Sequence, residues 1–148
     1  MKERPSRRRL VPRDLKLKLS AFYWLWVVRV GLAVLPFPRV LALQQRACRK
    51  NGGVAPEAHY GTWFERVSWA VESTDRFVPG AKCLARALVG QILLSQRGIS
   101  SDLRIGVKRE EERGVRAHAW LESNGVPVLG GDPLDQYTPL SSTGTTNR

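Results

Sequence analysis

Acidic residues are almost missing from the first third of this chain. Residues 1 to 50 hold thirteen Lys and Arg against only Glu3 and Asp14, whereas residues 51 to 148 hold eleven of each sign. The net charge of +11 therefore belongs to the N-terminal segment. Cysteine and histidine are just as sparse, with Cys48, Cys83, His59 and His118 the full set. Two of each without paired spacing argue against a zinc site, and nothing resembles a secreted disulfide framework. A Cys48–Cys83 bond would consume both thiols, so a reduced, cytoplasmic protein is the better reading. There is no glycine-rich phosphate loop, which argues against an ATPase, and no cofactor motif or internal repeat. No apolar run reaches the ~20 residues that span a bilayer. What remains is a chain of 148 residues with 43% hydrophobic content, enough for one domain with a real core.

The positive charge begins in residues 1–18, where Arg4, Arg7, Arg8, Arg9 and Arg13 stand among Pro5 and Pro12. This composition predicts a flexible basic arm suited to an acidic peptide, a partner or anionic lipid. No nucleic-acid-binding motif accompanies it. Residues 19–55 read as a helical apolar segment. Its run from Ala21 to Leu35 is apolar nearly all round, interrupted by Arg29 and stopped by Pro36 and Pro38. A cleaved signal peptide fits poorly, since the charged region before the run is long and no small-x-small site follows. The first reading is a helix packed on the catalytic domain or a partner; the second is docking on a membrane surface through the basic arm and the aromatics. Arg39 to Lys50 continues as a basic helix, and Tyr60 to Ser73 places Trp63, Phe64, Val67, Ala70 and Val71 on one helical face. His59 reads as loop surface.

Chemistry concentrates in residues 56–140. Pro79-Gly80 reads as a turn, and Leu84, Ala87, Leu88 and Ile92 have helical spacing with Gly98 as a stop. Cys83 would then open a helix, where exposed backbone N–H groups favour the thiolate that attacks carbonyls. Ser101 to Val107 and Val115 to Ser123 alternate as strands, with His118 and Trp120 sharing a face that could meet the Cys83 helix. Asn124-Gly125 predicts a two-residue hairpin loop. That register sets Asp132 opposite Ala117 and His118 opposite Gly131. A three-residue loop, or a bulge at Gly130-Gly131, would bring Asp132 onto the His118 face. Cys83, His118 and Asp132 thus form a candidate nucleophile, base and orienter, while Arg86, one turn beyond Cys83, is left outside the catalytic set. Taken singly, such a Cys or His is more often structural; their joint order is the signal. The tail 141–148 lacks apolar residues and reads as disordered.

Several stretches together carry a family resemblance: Val78-Pro-Gly-Ala-Lys-Cys-Leu-Ala-Arg-Ala-Leu, Leu94-Ser-Gln-Arg-Gly-Ile, Leu103-Arg-Ile-Gly-Val, Ala117-His-Ala-Trp-Leu-Glu and Asn124-Gly-Val-Pro-Val-Leu-Gly. They resemble the transglutaminase-like cysteine peptidases of lasso peptide biosynthesis, in the stand-alone leader peptidase form, from about Trp69 to Leu140. The resemblance implies an α+β fold of the papain and transglutaminase kind, with N-terminal helices and a Cys-bearing helix packed on a small antiparallel sheet. It also implies removal of a leader from a ribosomally made precursor peptide, after which an ATP-dependent lasso cyclase closes the freed amine onto a side chain. The first half shows no run of strands that would make a recognition domain, so a small separate leader-recognition protein is the expected partner. Two alternatives stay open: a non-catalytic scaffold that holds precursor and partner enzymes, and an acyltransferase using the same triad.

Overall fold

A computed structural model describes residues 12–49, 57–80, 82–110, 114–130 and 134–144. Four helices, α1 (Pro12–Val34), α2 (Phe37–Arg49), α3 (Tyr60–Asp75) and α4 (Cys83–Ser95), precede four strands, β1 (Asp102–Glu110), β2 (Gly114–Ser123), β3 (Val126–Leu129) and β4 (Thr138–Gly144). The strands form one sheet in the order β3-β2-β1-β4, and every pairing is antiparallel. The fold is α+β, as the sequence predicts.

α1 starts earlier than the composition suggests. The last residues of the segment read as a flexible arm are helical, because Pro12 fits the first helical position and Asp14 lies in the first turn, where the dipole favours an acid. Arg66 of α3 donates to the Asp14 carboxylate at 2.7 Å, and Leu17 is already buried. The resulting helix has 23 residues and meets the length and apolarity of a membrane span. One of its faces nevertheless belongs to the domain: Leu17, Ala21, Leu25 and Val28 recur at helical spacing inside the core cluster with α3 and α4. Arg29 turns aside from the apolar run. Its Nε donates to the Pro79 carbonyl at 3.2 Å, and its guanidinium lies against Gly80 in the turn before Cys83.

α4 is the hub, touching α1, α2, α3, β1, β2 and β3. Every residue from Ala87 to Ser95 is buried, and each fully buried Leu or Ile contributes about 1.5–3 kcal/mol relative to exposure. Gln91 satisfies its polar end inside this core. It accepts from Gln44 of α2 at 2.7 Å and donates to the Ser101 carbonyl at 2.8 Å, tying α2, α4 and the start of β1 together. On the sheet, Leu103, Ile105, Ala119, Leu121 and Leu129 join the helical core, while Trp120 is buried outside that cluster against Tyr137. Gly106 makes room for the Trp120 ring, since a Cβ there would lie 2.9 Å from it.

Asn124 and Gly125 form the predicted two-residue loop, both with positive φ (51° and 75°), the type I′ signature that matches strand twist. The register then shifts within β3. Ser123 pairs Val126 and Glu122 pairs Pro127, but Leu121 pairs Leu129, so a one-residue irregularity sits at Val128, while Gly131 lies outside the described residues. The C-terminal tail also departs from expectation. β4 runs on to Gly144 and pairs with β1, so residues 141–144 form an edge strand. Backbone hydrogen bonding along β1 needs no apolar side chains, and composition therefore misses it.

Candidate functional site

The site grows from the start of α4. Lys82 at the cap position is extended (φ −82°, ψ 167°), and its side chain makes no cap hydrogen bond to the first-turn N–H groups beside Cys83. Those groups are anion-binding donors by geometry. Cys83 is half-buried, whereas Cys48 is buried on α2; both are free thiols. The environments differ chemically. Burial pushes the Cys48 thiol above its ordinary value, with a hydrogen bond to Ser95 pulling weakly the other way, and Gln44 donates to its sulfur at 3.2 Å. Cys48 is a core side chain; Cys83 opens onto a cavity.

That cavity, about 140 Å³, is lined by Cys83, Arg86 and Ala87 of α4, His118 and Ala119 of β2, Glu72 of α3, and Leu129 and Gly130 at the end of β3. It brings together two of the three residues singled out from sequence. His118 does not arrive by facing the helix, as its alternation allowed. Ala119 and Leu121 take the helix side, and His118 shares the opposite face with Trp120, their rings stacked at 6.2 Å and 19°. His118 reaches the cavity at the edge of β2, beyond the last β2–β3 pair at Leu121 and Leu129. Tyr137 packs on both rings, its centroid 5.2 Å from that of His118 and 6.3 Å from that of Trp120. The His118 Nε2 lies 3.1 Å from the Gly130 carbonyl, so the tautomer that donates from Nε2 carries its lone pair on Nδ1.

Gly130 has a specific reason to be glycine. Its φ is +105°, and a Cβ would lie 2.8 Å from that of Trp120. The carbonyl that holds His118 thus depends on a backbone conformation L side chains rarely adopt. Asp132, the expected orienter, lies outside the described residues. The hydroxyl of Ser68 on α3 donates to the Val128 carbonyl and holds this end of β3 against the helices.

Two charged walls were not assigned from sequence. Arg86 sits three residues after Cys83, hence on the same helical face, and pairs with Asp75 at 3.2 Å, while its buried Nε has no partner among the described residues. The i to i+3 spacing was the available signal. Glu72 projects from α3 beside the buried Val71, and no local motif distinguishes it from a solvated acid. Among the described residues no cluster of His, Cys, Asp and Glu could hold a metal ion. A thiol at an uncapped helix start, an imidazole across a small cavity and backbone N–H donors beside the thiol can together perform acyl transfer from a carbonyl to sulfur.

An α+β domain that joins a cysteine at a helix start to a histidine on an antiparallel sheet defines a class of thiol acyl-transfer folds. The family comparison agrees: residues 22–142 match the model of the transglutaminase-like superfamily, so the chain belongs to that superfamily, whose members are generally cysteine peptidases or acyltransferases. No curated protein and no solved structure matches the chain.

Proposed function

We propose that this protein is a cysteine peptidase that removes the leader from a ribosomally made lasso peptide precursor, freeing the core amine for closure by a separate cyclase. The observation that carries the reading is the shared cavity of Cys83 and His118, taken with the Cys-Leu-Ala-Arg-Ala-Leu and Ala-His-Ala-Trp-Leu-Glu stretches around them. The Cys83 proton passes to the His118 imidazole across the cavity, directly or through one water. The thiolate attacks the carbonyl carbon at the leader–core junction, and the oxyanion is met by the backbone N–H of Cys83. The C–N bond then breaks, His118 returns its proton to the departing core amine, and the leader remains as a thioester. Water, deprotonated by His118, releases the leader carboxylate and regenerates the thiol. Asp132 orients the imidazole in this scheme, working with the Gly130 carbonyl. The reaction runs in the cytoplasm, on a leader presented by a small recognition protein.

The test is mass spectrometry of a candidate precursor incubated with the protein and its leader-binding partner, comparing wild type with Cys83→Ala and His118→Ala. Cleavage at one bond by wild type alone supports the peptidase. A product carrying an amine in place of water would assign the site to acyl transfer instead. Intact precursor in every tube, with a verified precursor and partner, would sink the reading and favour a scaffold.

A further inference from the structure

The outer face of α1 has no role in the core or the cysteine site, yet it is apolar along the helix. Leu15, Leu19, Tyr23, Trp26, Val30 and Val34 follow one another every three or four residues, and Leu19, Tyr23, Trp26 and Val34 are 60, 61, 41 and 74% exposed. On a helix turning 100° per residue they lie opposite Leu17, Ala21, Leu25 and Val28, which pack on α3 and α4. A helix on a protein surface needs only one apolar face, and the second should be polar. Here it runs about 28 Å, at 1.5 Å per residue from Leu15 to Val34. A contiguous apolar strip of that length marks an interaction surface rather than scattered exposed residues.

Charge decides which occupant fits. The strip follows directly on Met1–Arg13, which holds Lys2, Arg4, Arg7, Arg8, Arg9 and Arg13 against the single acid Glu3. From Leu15 to Arg49 the sequence has no Asp or Glu, and Asp14 is neutralised by Arg66. The one cation in the middle of the apolar run, Arg29, is drawn aside to the Pro79 carbonyl. The result is a strip of Leu, Val, Tyr and Trp with the exposed Lys16 at its edge, continuous with a polybasic segment and free of acids. Those are the two signals, apolar insertion and attraction to negative headgroups, that hold a helix flat on an anionic bilayer. Amphipathic rings such as those of Tyr23 and Trp26 favour the headgroup level. The helix lies on the bilayer rather than across it, because spanning would pull Leu17, Ala21, Leu25 and Val28 out of the core.

We infer that the exposed face of α1 and the basic segment before it dock this protein onto an anionic lipid surface, with α1 parallel to the bilayer and the Cys83 cavity left open. Docking is independent of the peptidase reading. The full-length protein is tested by co-sedimentation with phosphatidylcholine vesicles, with and without phosphatidylglycerol. Strong binding to the anionic vesicles, weak binding to neutral ones and loss of binding at high salt are expected. Tyr23→Glu, Trp26→Glu and Val30→Glu together should lower the anionic affinity by about ten-fold or more while leaving circular dichroism unchanged. Brominated lipid should quench wild-type tryptophan emission and quench Trp26→Phe much less, a readout that needs no charge variant. Absence of binding to anionic vesicles overturns the inference, as does binding unchanged by the triple substitution. A dimer in sedimentation velocity that the triple variant dissociates, without lipid binding, would overturn it and assign the face to a second copy. Monomers that ignore lipid would leave the face to a protein partner, also against the inference.

Discussion

Two helices of this domain are apolar on nearly every side, and the fold treats them in opposite ways. α4 is enclosed by three helices and the sheet, so its apolarity is consumed by the core and its first residue lines the cavity. α1 gives one face to the same core and leaves the other bare. All-round apolarity therefore means different things at the two places. In α4 it signals complete burial; in α1 it signals two separate contacts, only one of which lies inside the chain. The candidate nucleophile lies on the enclosed helix, where the fixed position that the proposed chemistry needs is available.

The contrast can be broken or sharpened by substitution. The largest effect is expected at the enclosed end: Cys83→Ala and His118→Ala should each reduce precursor cleavage by roughly a thousand-fold or more, read by mass spectrometry, with melting temperatures little changed. Cleavage surviving either change would remove the site from the reaction. Next, Leu93→Ala in α4 should cost about 2–5 kcal/mol, while Leu19→Ala on the bare face of α1 should stay within about 0.5 kcal/mol; urea unfolding compares them directly. Equal costs would mean the outer face is covered in solution.

Smaller effects test the walls of the site. Gly130→Ala must accommodate both a positive φ and a collision with Trp120, and should lose about 1–3 kcal/mol. It should also lower cleavage, because the carbonyl bound to His118 moves; the pair of readouts is urea unfolding and precursor turnover. The least disruptive comparison is between the thiols. Iodoacetamide near neutral pH should label Cys83 and spare Cys48 until the protein unfolds, as peptide mapping would reveal. The folded protein holds the Cys48 thiol above its unfolded value. This contribution to stability is complete below the unfolded thiol pKa of ~8.5 and is lost as pH rises through the higher folded value. Cys48→Ala should accordingly flatten the alkaline decline in stability, and an unchanged slope would place that decline elsewhere.

Legibility from sequence was greatest where one local rule decides the outcome. The Pro79-Gly80 turn before a run of helical spacing located the start of α4 at Cys83, and Asn124-Gly125 located the hairpin. The edge strand β4 was illegible because its backbone bonds to β1 need no particular side chains. The path of His118 was left open because alternation gives two faces without saying which one meets the helices; the larger apolar set, Ala119 and Leu121, took that side. Glu72 was hidden for a related reason: an acid beside the apolar face of α3 looks the same whether it meets water or a cavity.

Local rules in the sequence determined the α+β character, the helix that opens at Cys83, the hairpin after His118 and the concentration of charge in the first third. These depend on neighbours within a few residues, or on composition alone. Tertiary structure decided that β3 ends at Leu129, that His118 shares a cavity with Cys83, that Arg86 and Glu72 wall that cavity, and that α1 keeps one apolar face outside. Each of those outcomes depends on which surfaces compete successfully for the limited space around α4, a choice made by packing among segments far apart in the chain.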